Sequence, residues 1–153
     1  MVTGSGTSDT GTTPAAGRLP AVGEKASLSK AVTEADVVLF AEVTGDTNPV
    51  HLDEEAAARS VFGRRVAHGM LTAGLISAVL GTRLPGPGTI YLGQELRFTR
   101  PVFIGDTVTA TVEVIEVTPE KRRVRLRTTC VNDRGETVVE GEARVMVEGK
   151  RKE

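Results

Sequence analysis

Between Gly69 and Leu80 the sequence GMLTAGLISAVL contains no charged side chain. A helix that is apolar on every side must be covered nearly all round, so the rest of the chain has to supply that cover. Gly81 is expected to close the helix. The PGPG run at 85–88 then breaks the pattern, and beyond it the hydrophobic period changes from helical to two. Four strands are expected, over 89–99, 106–118, 122–132 and 136–147, with turns at Gly105-Asp106, at Pro119-Glu120-Lys121 and at Asn132 to Gly135. Taken in order they read as an antiparallel meander. A buried helix followed by such strands implies an α+β architecture with the sheet curled around the helix. The far side of the helix then calls for association with a second copy of the chain.

Upstream, residues 24–32 supply a first strand, and Thr33 with Asp36 three residues on resembles a capping box. Val37, Phe40, Ala41 and Thr44 follow at helical spacing up to Gly45, so a helix is expected over 34–44. Pro49 disfavours the helical region at Asn48, and Gly45 to Leu52 therefore reads as a tight non-helical loop. Asp53 is placed to cap a second short helix that ends before Gly63. Gly, Thr, Ser, Pro and Ala dominate residues 1–20, which read as a disordered tail; one domain is expected over 21–149, with a charged end at 150–153.

With 19 Lys and Arg against 20 Asp and Glu, the balance calls for no polyelectrolyte partner, and nucleic acid is not expected. The first twenty residues contain no apolar run long enough for a signal-peptide core, and no stretch of the chain is long and apolar enough for a membrane span. The single cysteine, Cys130, lies in the alternating run Val124, Leu126, Thr128, Cys130 and reads as a core thiol suited to a reducing compartment. A soluble cytoplasmic protein is the expectation.

The two histidines, His51 and His68, both fall in the loop-rich stretch that leads into the apolar helix. Asp46 and His51 flank the Asn48-Pro49 kink, which can turn a carboxylate and an imidazole toward each other to hold one water. Equally, Asp46 can make an Asx turn while His51 covers an apolar edge; local chemistry leaves both readings open. His68 suits capping or packing of the turn. A metal site from His51, Asp53 and His68 would take Asp53 from its capping role, so none is assigned. No serine sits in a G-x-S-x-G elbow.

The string Phe40-Ala41-Glu42-Val43-Thr44-Gly45-Asp46-Thr47-Asn48-Pro49-Val50-His51-Leu52-Asp53, followed by Ala67-His68-Gly69-Met70-Leu71, resembles the MaoC-like, R-specific enoyl-CoA hydratase family of hot-dog fold. Tyr91-Leu92-Gly93-Gln94 and the run from Arg100 to Val108 look like strand and turn signatures of the same family, so the resemblance extends over about 25–147. It implies a curved antiparallel sheet wrapped around a central apolar helix, a homodimer, and no cofactor. It also implies catalysis by Asp46 and His51 on trans-2-enoyl thioesters, giving (R)-3-hydroxyacyl thioesters. Asn48, Pro49 and His68 would shape the supporting turn.

The free N–H at Gly69, first in its helix, suits a developing thioester oxyanion, and the resemblance places the contact there too. Thr72 or Ala73, Ile76 or Ser77, and Leu80 follow Gly69 at helical spacing and are expected to line the acyl channel, with Leu80 and Val145 limiting acyl length. Ser77 either stands beside the catalytic pair, as the resemblance suggests, or bonds the carbonyl four residues back. The segment Gly69 to Gly81 carries no Asp or Glu, unlike the hot-dog thioesterases and one class of dehydratases. Two rivals remain: a 3-hydroxyacyl-acyl-carrier-protein dehydratase, and a non-catalytic acyl-thioester binding module. Arg64 and Arg65 are candidates to meet either a nucleotide phosphate or an acidic carrier protein.

Overall fold

A computed structural model describes residues 14–149. The apolar segment forms a single helix, α4 (Gly69–Thr82), which runs through Gly81 and ends at Arg83. Gly81 therefore lies inside the last turn; the stop comes where the Arg83 and Leu84 N–H groups both turn back onto the Val79 carbonyl. The expected first strand is β1 (Lys25–Ala31), and the downstream strands are β2 (Thr89–Phe98), β3 (Thr107–Thr118), β4 (Arg123–Asn132) and β5 (Thr137–Val147).

All pair antiparallel in one sheet of order β1-β3-β4-β5-β2. Only β3, β4 and β5 form a meander. β2 does not pair with its sequence neighbour β3; it crosses to the far edge and pairs with β5 from Thr89↔Val147 to Phe98↔Val139. The connection at 99–106 is longer than the two to five residues of a hairpin loop and carries Pro101, so it spans the molecule rather than reversing direction in place.

Alternation in β3 and β4 sends Val108, Ala110, Val112 and Val114, then Val124, Leu126 and Cys130, to the inner face. These meet Ile76, Val79 and Leu80 of α4, all 1% exposed or less. Burial pushes the Cys130 thiol up to about 12, which leaves it un-ionised at neutral pH as a small apolar filler. One stripe of α4 is left uncovered by the described residues: Met70, Gly74 and Ser77 are exposed.

Three shorter helices precede α4: α1 (Glu34–Thr44), α2 (Pro49–Leu52) and α3 (Glu54–Ala58). The capping box forms, with Thr33 Oγ1 accepting from Asp36 N and Asp36 Oδ2 accepting from Thr33 N. Asp53 caps α3 by accepting from Glu55 N and Ala56 N. The segment read as wholly non-helical contains α2. Asn48 is extended, as a residue before proline should be, but Pro49 then takes the first helical position, where its missing N–H costs nothing.

Residues 14–20 lie within the stretch assigned by composition to the tail, yet they touch the domain. Gly17 N donates to Pro87 O, Arg122 donates to Gly17 O, Arg18 pairs with Glu24, and Leu19 packs on the core. The remainder of that tail and the charged end at 150–153 lie outside the described residues. Among the described residues no helix is long and apolar enough to cross a membrane.

Candidate active site

Gly45, at φ 80°, adopts the left-handed conformation that ends α1 and turns the chain toward α2. Asp46 follows immediately. Its N–H donates to Thr44 Oγ1 at 3.2 Å, and its Oδ1 accepts from Asn48 N at 3.3 Å. That is the Asx turn open on the sequence, and it engages one carboxylate oxygen. Asn48 in turn caps α2, accepting from Val50 N. In the single chain Asp46 is exposed, so α1 and α2 alone do not desolvate the carboxylate.

His51 rides on α2 and is 9% exposed. Its Nδ1 lies 2.7 Å from Val66 O. A carbonyl only accepts, so Nδ1 carries the proton and Nε2 of the neutral ring keeps a free lone pair. His68 is 2% exposed and makes no side-chain cap for α4; its Nε2 donates to the Asp46 carbonyl at 2.9 Å. Its ring is packed between Phe40, at 4.6 Å, and His51, at 3.8 Å. His68 thus fixes both members of the pair, the backbone of one and the ring of the other.

Carboxylate and ring nitrogens of Asp46, His51 and His68 lie within 4.8 Å of one another. Their geometry suits stacking better than shared coordination. The two imidazoles stack at 3.8 Å with 31° between planes, and His51 Nδ1 and His68 Nε2 are already engaged with the carbonyls of Val66 and Asp46.

A cavity of about 570 Å³ opens onto this group. Asp46, Asn48, His51, His68, Gly69 and Thr72 form one wall, while Phe98 to Val102 and Val139 form the other. The Phe98 ring lies over the start of α4, where a Cβ on Gly69 would meet its Cε1 at 2.7 Å. Two buried polar atoms here, His68 Nδ1 and Thr72 Oγ1, have no hydrogen-bond partner among the described residues.

Of the residues expected from the sequence, Thr72 alone among the acyl-channel set reaches this cavity. Ser77 is exposed and lines a separate groove with Met70, Gly74 and Tyr91; Leu80 and Val145 are in the core, 1% and 0% exposed. Sequence reasoning misses the wall from Phe98 to Val102, with Val139, for which the Arg100-Pro101-Val102 run is the available signal. Arg65 turns inward rather than toward a phosphate, and Arg64 stacks over the Phe103 ring at 3.8 Å.

A sheet wrapped on one central helix, with a carboxylate and an imidazole brought together on the segment that precedes it, defines a hot-dog protein whose central helix carries no Asp or Glu. The chain belongs to the MaoC-like family: the MaoC like domain matches residues 19–141. It is 59% identical over 125 residues to the (R)-specific enoyl-CoA hydratase of Rhodospirillum rubrum, covering 82% of this chain and 86% of that one. It is 58% identical over 130 residues to the 3-hydroxybutyryl-CoA dehydratase of Methylorubrum extorquens, covering 84% and 82%. The unliganded R-hydratase PhaJ1 of Pseudomonas aeruginosa superimposes with a TM-score of 0.81 at 53% identity, over 86% of this chain and 84% of that one.

Proposed function

We propose that this chain is an (R)-specific enoyl-CoA hydratase, adding water to a trans-2-enoyl-CoA to give the (R)-3-hydroxyacyl-CoA, with Asp46 and His51 as the acid-base pair. The observation that carries the reading is the sharing of one cavity by the Asp46 carboxylate, the His51 ring and the N-terminus of α4. A thioester carbonyl directed at Gly69 N finds a donor with no intrahelical acceptor, so the negative charge that builds on the oxygen during attack is stabilised. Water between the carboxylate and His51 Nε2 attacks C3 and gives up one proton to the pair. The pair returns one proton to C2 on the same face, and it ends the cycle as it began.

Hydration of crotonyl-CoA, followed by loss of the conjugated enoyl-thioester absorbance and by chiral analysis of the product, tests the reading. Tight acyl-CoA binding without turnover at any chain length would favour a binding module instead. Gly69→Ala probes the oxyanion contact separately. The added methyl collides with the Phe98 ring at the helix end; kcat/KM on crotonyl-CoA should fall about tenfold or more, equivalent to about 1.4 kcal/mol. An unchanged kcat/KM removes Gly69 from the mechanism.

The working unit in this reading is a homodimer in the cytoplasm, where a free, un-ionised Cys130 is at ease. The uncovered stripe of α4 adjoins the edge strand β2, on which Tyr91 and Leu92 are 40% and 48% exposed. An apolar edge with unpaired backbone groups invites a second copy, whose surface would also shield Asp46. Sedimentation should give twice the 16.2 kDa chain mass, and Leu92→Arg should shift the protein toward a monomer. A fully active monomer would refute the dimer.

A further inference from the structure

We propose that Arg65 is a positioning residue for His51, holding the imidazole in place and in one tautomer through a bond to its main chain. The proposal rests on the assignment of His51 to the acid-base pair.

The need arises from the shortness of α2. A four-residue helix has no stability of its own, and its last carbonyls lack intrahelical donors. Three of its carbonyls each find a different partner. Pro49 O accepts from Asp53 N at 2.8 Å, and Val50 O accepts from Val66 N at 3.3 Å. His51 O accepts from Arg65 Nε at 2.7 Å. The adjoining carbonyl, Val66 O, accepts from His51 Nδ1 at 2.7 Å. Residues 65 and 66 therefore grip His51 from its backbone and from its ring.

Arg65 is itself anchored. Its side chain is only 10% exposed, and its Nη1 lies 2.8 Å from Glu34 Oε1 at the start of α1 and 3.9 Å from Glu54 Oε1 at the start of α3. A guanidinium suits the task because its planar fork offers donors in fixed directions, one to a carbonyl and another to a carboxylate. Without it, the end of α2 frays, the Nδ1 to Val66 O distance fluctuates, and Nε2 no longer holds its lone pair in one place. Misplacement of a catalytic group by about 1 Å is enough to cost about a hundredfold in rate.

The test compares the parent chain with Arg65→Met, Arg65→Gln and Arg65→Lys. Two readouts are used: kcat and KM on crotonyl-CoA, and ¹⁵N shifts of the histidine ring nitrogens, which report where each proton resides. With two histidines in the chain, both rings can be assigned. Arg65→Met and Arg65→Gln should lower kcat about ten- to a hundredfold with little change in KM. The His51 shifts should move toward values averaged over both tautomers, while those of His68, whose partner is the Asp46 carbonyl, stay as in the parent. Arg65→Lys, which keeps a cationic donor, should recover much of the lost rate and the parent shifts.

A fall in melting temperature with parent-like kcat and His51 shifts would show a structural staple and overturn the proposal. So would a loss of kcat with unmoved His51 shifts. Should the methionine variant fail to fold, the polar glutamine variant decides by the same criteria. The ring-shift readout needs no turnover, so a parent that does not hydrate crotonyl-CoA defeats the functional reading while the hold of Arg65 on the ring is still decided.

Discussion

Asp46→Asn lowers kcat on crotonyl-CoA by about 10² to 10⁴-fold, the usual cost of removing a general acid-base group, and leaves thermal stability near that of the parent. The second half of this expectation follows from how little the carboxylate supports. Asp46 is exposed, and its Oδ1 serves only to accept from Asn48 N; an asparagine keeps that acceptor. The bond from His68 goes to the Asp46 backbone carbonyl and survives the change. What is lost is the negative charge and the ability to take a proton. His51→Ala should be as damaging to kcat but less clean, since it also unstacks the His68 ring and leaves Val66 O without its donor, at about 1–3 kcal/mol. Steady-state kinetics beside a thermal melt separates the two. Parent-like turnover by Asp46→Asn would end the proposed mechanism.

Gly141→Ala should be among the most destabilising single-methyl changes available to the chain. Gly141 lies in β5 between Leu96 of β2 and Thr128 of β4. A Cβ there would overlap the Glu95 carbonyl oxygen and lie 2.7 Å from the Glu95 carbonyl carbon. Both atoms are backbone, so no side-chain rotation relieves the collision, and β2 must leave the sheet locally. The Glu95 carbonyl is also held where it is, accepting from Gln94 Nε2, which bonds Thr128 Oγ1 in turn. The cost should exceed the ~1–3 kcal/mol of ordinary overpacking. Gly93→Ala is the control: a Cβ at Gly93 has nothing within 4 Å, and chemical denaturation should find it close to the parent. Equal stability of the two variants would mean that β2 does not approach β5 so closely.

Much of this fold is legible in the residue pattern because its signals are local. The period-two runs place every strand within a residue or two of its ends, and Thr33, Asp36, Gly45 and Asp53 mark helix boundaries through bonds made within a few residues. Strand order is not local. Period two says which face a residue takes and nothing about which neighbour it pairs with, so β2 read as part of a meander. The same limit applies to the site. At one turn from Gly69, Thr72 lines the cavity, but further along α4 the inward face packs on the sheet, which is why Leu80 is core. Arg65 meets His51 across 14 residues and Glu34 across 31, and nothing in the sequence near any of them reports the contact.

The two walls of the cavity come from separate parts of the chain. Residues 46–72 carry the proposed acid-base pair and the helix end, while Phe98 to Val102 and Val139 come from the sheet and its crossing segment. Under the proposed mechanism, reactivity and substrate shape are therefore encoded in different stretches of sequence. Changes at Phe98, Thr99 or Val139 can reshape the space for an acyl chain without touching the proton-handling loop, so a lineage or a designer can vary the range of substrates while the chemical step is inherited intact.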